Sequence, residues 1–379
     1  MMARTGSRPP DPENRVYRES LARAGLVPAL RRPSAGTPIR LLASIAGALL
    51  AASCGSRPAS PIAVKLRLGH FPNVTHAQVL YGRATGSFEK AVGAPIAWTQ
   101  FNAGPSAVEA LFAGAVDASY VGPNPAINGF IKSQGRSFVI VAGAASGGAA
   151  LVVRADAGIT SESDFHGKTV ATPQLANTQD VAARLWFADH GYTTREKGGD
   201  LTILPLANPD QLLMFQKRQI DAAWTVEPWV SRLEQEGHGR VFLEENRLWP
   251  DGKYVTALLV VRREFLAAHR DLVVRLLTAH VEATLTINGG KDAAVPLLAA
   301  EIRRETAKAL PEAIVRSSLA RIELGWDPLP TALAKSADDA HRIGFLHDRP
   351  NLNGIVEAGP LNEVLAARGL PPVAAGAAR

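Results

Sequence analysis

The chain has 379 residues, room for one large core or two lobes, and its 46% hydrophobic and 20% charged content excludes a disordered protein. Its formal charge of +6 is unevenly placed: residues 1–53 hold eight arginines, no lysine and three acids, and the remainder holds 33 basic and 32 acidic residues. The basicity therefore belongs to the leader, which excludes a nucleic-acid-binding surface built on net charge.

The leader, residues 1–53, places Arg31, Arg32 and Arg40 before an uncharged run, Leu41–Ala52, too short to span a bilayer and suited to a signal-peptide core. It ends in Ala51-Ala52-Ser53-Cys54, and Cys54 is the single cysteine of the sequence. A small-residue triplet before a lone cysteine resembles the lipobox of bacterial lipoproteins. That resemblance implies a lipidated Cys54, a tether over 54–63 and attachment to the membrane through the lipid alone. A plain secretory signal is the alternative, favoured by alanine at Ala51 where the lipobox more often has leucine. With one cysteine the chain forms no internal disulfide.

From Val64 onward short apolar runs alternate with helical patterns, the signature of an α/β protein with crossover helices. The pattern predicts strands at 64–69, 96–101 and 118–121, then at 139–144 and 150–154. It restarts with strands at 169–171, 201–206 and 220–224, and a late strand at 255–261. A long helix is expected over 264–287, with further helices to about 367. Four strands feed helices that open on proline: Pro105, Pro125, Pro209 and Pro228. Asn124 reads as the N-cap of a helix whose first residue is Pro125. Helix N-termini at the carboxyl edge of a sheet point to an anionic or polar ligand.

Taken in order, Phe88-Glu-Lys90, Phe101-Asn-Ala-Gly-Pro105, Glu109-Ala-Leu-Phe-Ala-Gly-Ala-Val-Asp117, Val121-Gly-Pro-Asn-Pro125 and Val226-Glu-Pro-Trp229 carry a family likeness. The stretch from about Lys65 to Asn288 resembles the substrate-binding proteins of bacterial ABC importers for aliphatic sulfonates, nitrate and taurine. The resemblance implies a two-lobe periplasmic-binding-protein fold, type II-like, with a helical C-terminal extension packed on the first lobe. It implies a monomeric, non-enzymatic receptor at the outer face of the cytoplasmic membrane, closing on a small organic anion and delivering it to an ABC permease. The lobes are expected at 64–151 plus 256–379, and at 152–255.

Candidate ligand residues follow from loops after strands. Asn73, Thr75 and His76 offer an amide, a hydroxyl and an imidazole, although Asn73 and Thr75 could equally cap the next helix. An anion near His76 would favour its charged form. Asn102 and Gly104 sit in a turn where backbone N–H groups can approach an oxyanion. Asn124 matches a position that reaches the cleft in the family. Ser146 lies near the first crossing, as hinge, ligand contact or both. Gln174, Asn177, Thr178 and Gln179 form a polar loop which in the family faces the ligand. Trp224 and Trp229 around Glu227 read as a wall for the organic part of a solute with an acceptor for a cationic group, which suggests a zwitterionic ligand, although Trp229 on a helix could equally be core. Neither a cofactor nor a metal is expected: no GxGxxG loop follows a strand, and His166 and His190 stand too far apart in sequence to argue for a metal. An enzyme on the same fold, related to thiamine-pyrimidine synthesis, and a sensory receptor uncoupled from transport are the alternative functions.

Overall fold

The computed structural model describes residues 65–374; the expectations for the leader, Cys54 and the tether lie outside the described residues. Eleven strands follow in chain order: β1 (Leu66–His70), β2 (Ile96–Gln100), β3 (Ala118–Val121), β4 (Phe138–Gly147), β5 (Ala149–Arg154), β6 (Thr169–Thr172), β7 (Thr202–Pro205), β8 (Ala222–Val226), β9 (Gly239–Glu244), β10 (Val255–Arg262) and β11 (Ile322–Leu324). They form two sheets, of order β11-β4-β10-β3-β1-β2 and β7-β6-β8-β5-β9.

In the first sheet β1 pairs in parallel with β2 and β3, while β10 runs antiparallel between β3 and β4. In the second, β6 pairs in parallel with β7 and β8, and β5 is antiparallel to both β8 and β9. All four residues of β3 and all five of β8 are buried, as expected of strands covered on both faces. One large apolar cluster packs the first sheet with the C-terminal helices, including the long Arg270–Gly289. Two clusters cover the faces of the second, one around Phe165, Trp186 and Trp224, the other around Phe215, Val230 and Leu233.

The chain changes sheet at Gly147 and Gly148, both left-handed with φ of +79° and +78°. Side chains there would collide with Arg321 O and Ile322, because β11 pairs with β4 against this turn. The change of sheet thus precedes the expected boundary at 151/152, since the whole of β5 belongs to the second sheet. The return runs through two short turns, Glu245–Leu248 and Pro250–Gly252, into β10.

Several expectations need correction. The helix after β3 is Pro123–Lys132 with Gly122 as its N-cap, so Asn124 is not the cap and Pro125 is its third residue. Both prolines fit because the first-turn N–H groups have no partner within the helix. Pro105 and Pro209 are likewise second residues, and Pro228 precedes its helix, Trp229–Gln235. The expected long helix is broken at His269 into Arg263–Ala268 and Arg270–Gly289. Strands β9 and β11 were not foreseen. Among the described residues no helix is long and apolar enough to cross a membrane.

Candidate functional site

The carboxyl ends of β1, β2 and β3 face those of β6, β7 and β8, and the loops that follow them enclose a small cavity of about 30 Å³. That is room for about two water-sized groups. The first sheet's loops contribute Asn73, Thr75, His76, Asn102, Gly104 and Gly122, and β10 contributes Thr256. The second sheet's loops contribute Pro173, Asn177, Thr178, Gln179 and Asn208. No lysine, arginine, aspartate or glutamate lines the cavity among the described residues, so its polarity comes from amides, hydroxyls, one imidazole and helix ends.

Each contributing loop is built locally. In the 71–76 loop the backbone N–H of Phe71 donates to His76 Nδ1 (3.0 Å), and the two rings stack with centroids 4.5 Å apart. Since Nδ1 is an acceptor there, the neutral ring carries its proton on Nε2. Burial, and secondarily the nearby His70, holds His76 well below the usual histidine range. Where no anion meets it, the ring is therefore a neutral N–H donor at Nε2. Asn73 makes no capping bond to the short turn it precedes. Its Oδ1 instead accepts the indole N–H of Trp229 (3.1 Å), a bond from the second lobe to the first.

The 173–179 loop is organised by Asp180, whose carboxylate accepts from Thr172 Oγ1 (2.8 Å), Ala176 N (2.9 Å) and Arg184 Nε (3.1 Å). Asn177 caps the helix Thr178–Asp189 by accepting from Asp180 N (3.0 Å), and its own Nδ2 donates to Gln179 Oε1 (3.3 Å). Thr178 Oγ1 is buried with no hydrogen-bond partner. On the neighbouring loop Thr225 Oγ1 donates to Asn208 Oδ1 (3.1 Å).

The structure thus brings together Asn73, Thr75, His76, Asn102, Gly104, Asn177, Thr178 and Gln179. The other sequence candidates lie elsewhere. Asn124 lines an adjoining chamber of about 190 Å³, and its Nδ2 donates to Ser336 O (3.1 Å). Ser146 sits at the crossing and accepts from Tyr254 N (3.3 Å). Gln174 is half-buried on its loop, outside the cavity lining. Trp224 is core: it packs against Trp186 and donates to Glu245 Oε2 (2.7 Å).

Glu227 is wholly buried away from the cavity. Its carboxylate accepts from Ser231 (2.8 Å), Ser318 (2.9 Å) and Arg321 (3.1 Å). Arg321 also reaches Glu234 and Glu244, so this hub ties the C-terminal helix Glu312–Arg321 to the second lobe. The argument for a zwitterionic ligand from Glu227 loses its observation.

Asn208, Gly122 and Thr256 were not among the sequence candidates. Thr256 had a signal, being a lone hydroxyl in the apolar run Val255–Val261. A second chamber, about 280 Å³ and walled by Trp229, Ile302 and Leu310, shares Asn73, Asn102 and Asn208 with the central cavity.

Among the described residues no three His, Cys, Asp or Glu side chains converge as a metal site. What the cavity offers chemically is hydrogen-bond donation to a compact polar group.

The profile of a family described as NMT1-like matches residues 59–308. The chain is 26% identical over 204 residues to the taurine-binding periplasmic protein of Escherichia coli strain K12, a match covering 53% of this chain and 60% of that protein. It is 26% identical over 326 residues to a putative aliphatic sulfonates-binding protein of Bacillus subtilis strain 168, covering 84% and 94%. Among solved structures it is similar to the alkanesulfonate-binding protein SsuA of Xanthomonas axonopodis pv. citri bound to MOPS, with TM-score 0.66 and 21% identity over 78% of this chain and 98% of that one. The periplasmic nitrate-binding protein NrtA of Synechocystis PCC 6803 gives TM-score 0.69 at 15% identity, covering 82% and 91%. The fold is that of the periplasmic binding proteins.

Proposed function

We propose, for a chain that belongs to the NMT1-like family, the role of extracytoplasmic receptor of an ABC importer, binding a small organic oxyanion of the aliphatic sulfonate or taurine-like kind. The observation that carries the reading is the cavity itself: uncharged, rich in donors, and set between two lobes at the carboxyl ends of both sets of parallel strands. Such a cavity holds an oxyanion by directed N–H and O–H groups and helix ends, without a countercharge to neutralise it. The names of its relatives support binding of sulfur-bearing or nitrogen-bearing acids. Closure of the lobes over the ligand would present the permease with a different surface from the open form.

Thermal denaturation against a panel of methanesulfonate, ethanesulfonate, taurine, nitrate and bicarbonate tests this. A ligand at 100 times its Kd raises stability by about 2.7 kcal/mol, a shift of several degrees. At least one acid on the panel is expected to give it. No shift with any acid, together with a shift from a nucleotide or a pyridoxal compound, would overturn the reading.

A further inference from the structure

We propose that the chamber of about 190 Å³ between the helices Thr178–Asp189 and Pro330–Arg342 is a second binding site, taking a small organic ammonium ion on the buried carboxylate of Glu245. This site lies beside the central cavity and does not depend on the function proposed above.

Each helix turns one face to the chamber. Val181, Leu185 and Trp186 stand at helical spacing on one, Lys335, Asp339 and Arg342 on the other, and the return turn closes the space with Leu248 and Trp249. An apolar cavity of about 150 Å³ holds benzene, so a ring-sized body fits here.

Charge decides what that body carries. Lys335 Nζ pairs with Asp339 (2.5 Å) and Arg342 with Asp189 (2.6 Å), at the two ends of the same helix face. His190 meets Trp186 O through Nδ1 (2.6 Å) and Glu162 through Nε2 (3.4 Å). Of the charged groups in the lining, only Glu245 is then left without an ion-pair partner, and it is wholly buried. Its Oε2 accepts the indole N–H of Trp224 (2.7 Å), while Oε1 is buried with no hydrogen-bond partner.

A buried carboxylate in that state is relieved by a proton or by a cation. Lys335 relieves it only in part, since its nitrogen is held over the Trp249 ring (4.4 Å from the centroid) and bonded to Asp339. Burial accordingly raises Glu245 to about 7. An ammonium N–H reaching Oε1 takes the place of the proton. Two further acceptors share the lining: Thr178 Oγ1, also without a partner, and Asn124 Oδ1, whose Nδ2 is turned to Ser336 O. A primary ammonium has three N–H groups to give, and the tryptophan walls suit a cation. An acid ligand is turned away by the carboxylate of Glu245.

Calorimetric titration of the full chain with benzylamine and with benzyl alcohol, its uncharged counterpart, tests the proposal. At pH 8 benzylamine is expected to bind at least tenfold more tightly than the alcohol, the effect of a charge-assisted hydrogen bond. Glu245→Gln keeps the shape and removes the charge, and is expected to weaken benzylamine by about 10- to 100-fold and the alcohol hardly at all. Ala182→Leu fills the chamber and is expected to abolish binding of both. From pH 6 to pH 8 the wild-type affinity for benzylamine should rise by about tenfold as Glu245 loses its proton. His190 faces the same chamber, and Tyr254, stacked on Trp249, is kept protonated by burial; both persist in Glu245→Gln, which should show a flat profile. No binding of benzylamine, equal affinities for amine and alcohol, a pH rise that survives in Glu245→Gln, or indifference to both variants would overturn the proposal. Failure of the acid panel would overturn the receptor reading alone.

Discussion

Gly122 stands against Thr178 of the other lobe, and adding a single methyl group there tests whether the lobes must close for binding. Its backbone, φ −75° and ψ 163°, suits any residue, so Gly122→Ala does not strain the chain. A Cβ built there would lie within 3.0 Å of Thr178 Oγ1 in the other lobe, closer than real Cβ contacts occur. Thr178 Cβ would be 3.5 Å away, an ordinary contact, so the clash rests on the hydroxyl. Overpacking of this kind costs about 1–3 kcal/mol. Because it arises only when the lobes meet, that energy is taken from closure, and ligand affinity should fall roughly 5- to 150-fold. The melting temperature of the unliganded chain should hold or rise slightly, since alanine restricts the unfolded chain. Titration of wild type, Gly122→Ala, Thr178→Ala and the double variant with the best acid of the panel measures this. The double variant is expected to bind close to Thr178→Ala alone, because the oxygen that clashed is gone. Wild-type affinity in Gly122→Ala, or no relief in the double variant, would refute the reasoning.

Three further outcomes are expected. Sulfonate affinity should stay flat from pH 6 to pH 8, because buried His76 is a neutral donor throughout; affinity rising steeply below pH 6.5 would show a charged imidazole instead. Burial, only partly offset by hydrogen bonds from Trp224 and Trp249, raises Glu245 to about 7. With the folded value above the unfolded one, its contribution is fully present below about pH 4.5 and is lost as pH rises through 7, by about 3 kcal/mol. Glu245→Gln should flatten that fall, as read by chemical denaturation at pH 5 and pH 8. Arg321→Met strands the buried carboxylate of Glu227, and a loss of about 3 kcal/mol is expected in denaturant titration; Arg321→Met with Glu227→Gln should recover part of it.

Much of the architecture was legible because its signals are local. Apolar runs, helix stops such as Gly135 and Gly191, and prolines in first turns lie within a few residues of what they determine. Loops after parallel strands were legible as the candidate site for the same reason, and Asn73, His76, Asn102 and Asn177 line the cavity there. What escaped depends on distant partners. Trp224 is committed by Glu245, 21 residues later, and Glu227 by Arg321, 94 residues later. Nothing near either residue says which way it faces. Asn124 was misplaced by one turn chemistry that serves two registers, since both Pro123 and Pro125 fit a first turn. Strand β9, Gly239–Glu244, is an edge strand with only one partner and carries an arginine and a glutamate, which blunts its alternation. The break at His269 has neither proline nor glycine to announce it.

The central claim is that the cavity between Asn73, His76 and Gln179 receives the acid group of the ligand. A crystal structure of the chain grown with the acid giving the largest thermal shift measures this directly. The account expects the oxyanion within hydrogen-bond distance of Asn73 Nδ2, His76 Nε2 and Gln179 Nε2, with any carbon chain directed toward Trp229. An acid group seated instead in the chamber beside Trp249 and Lys335, or outside the cleft between the lobes, would contradict it.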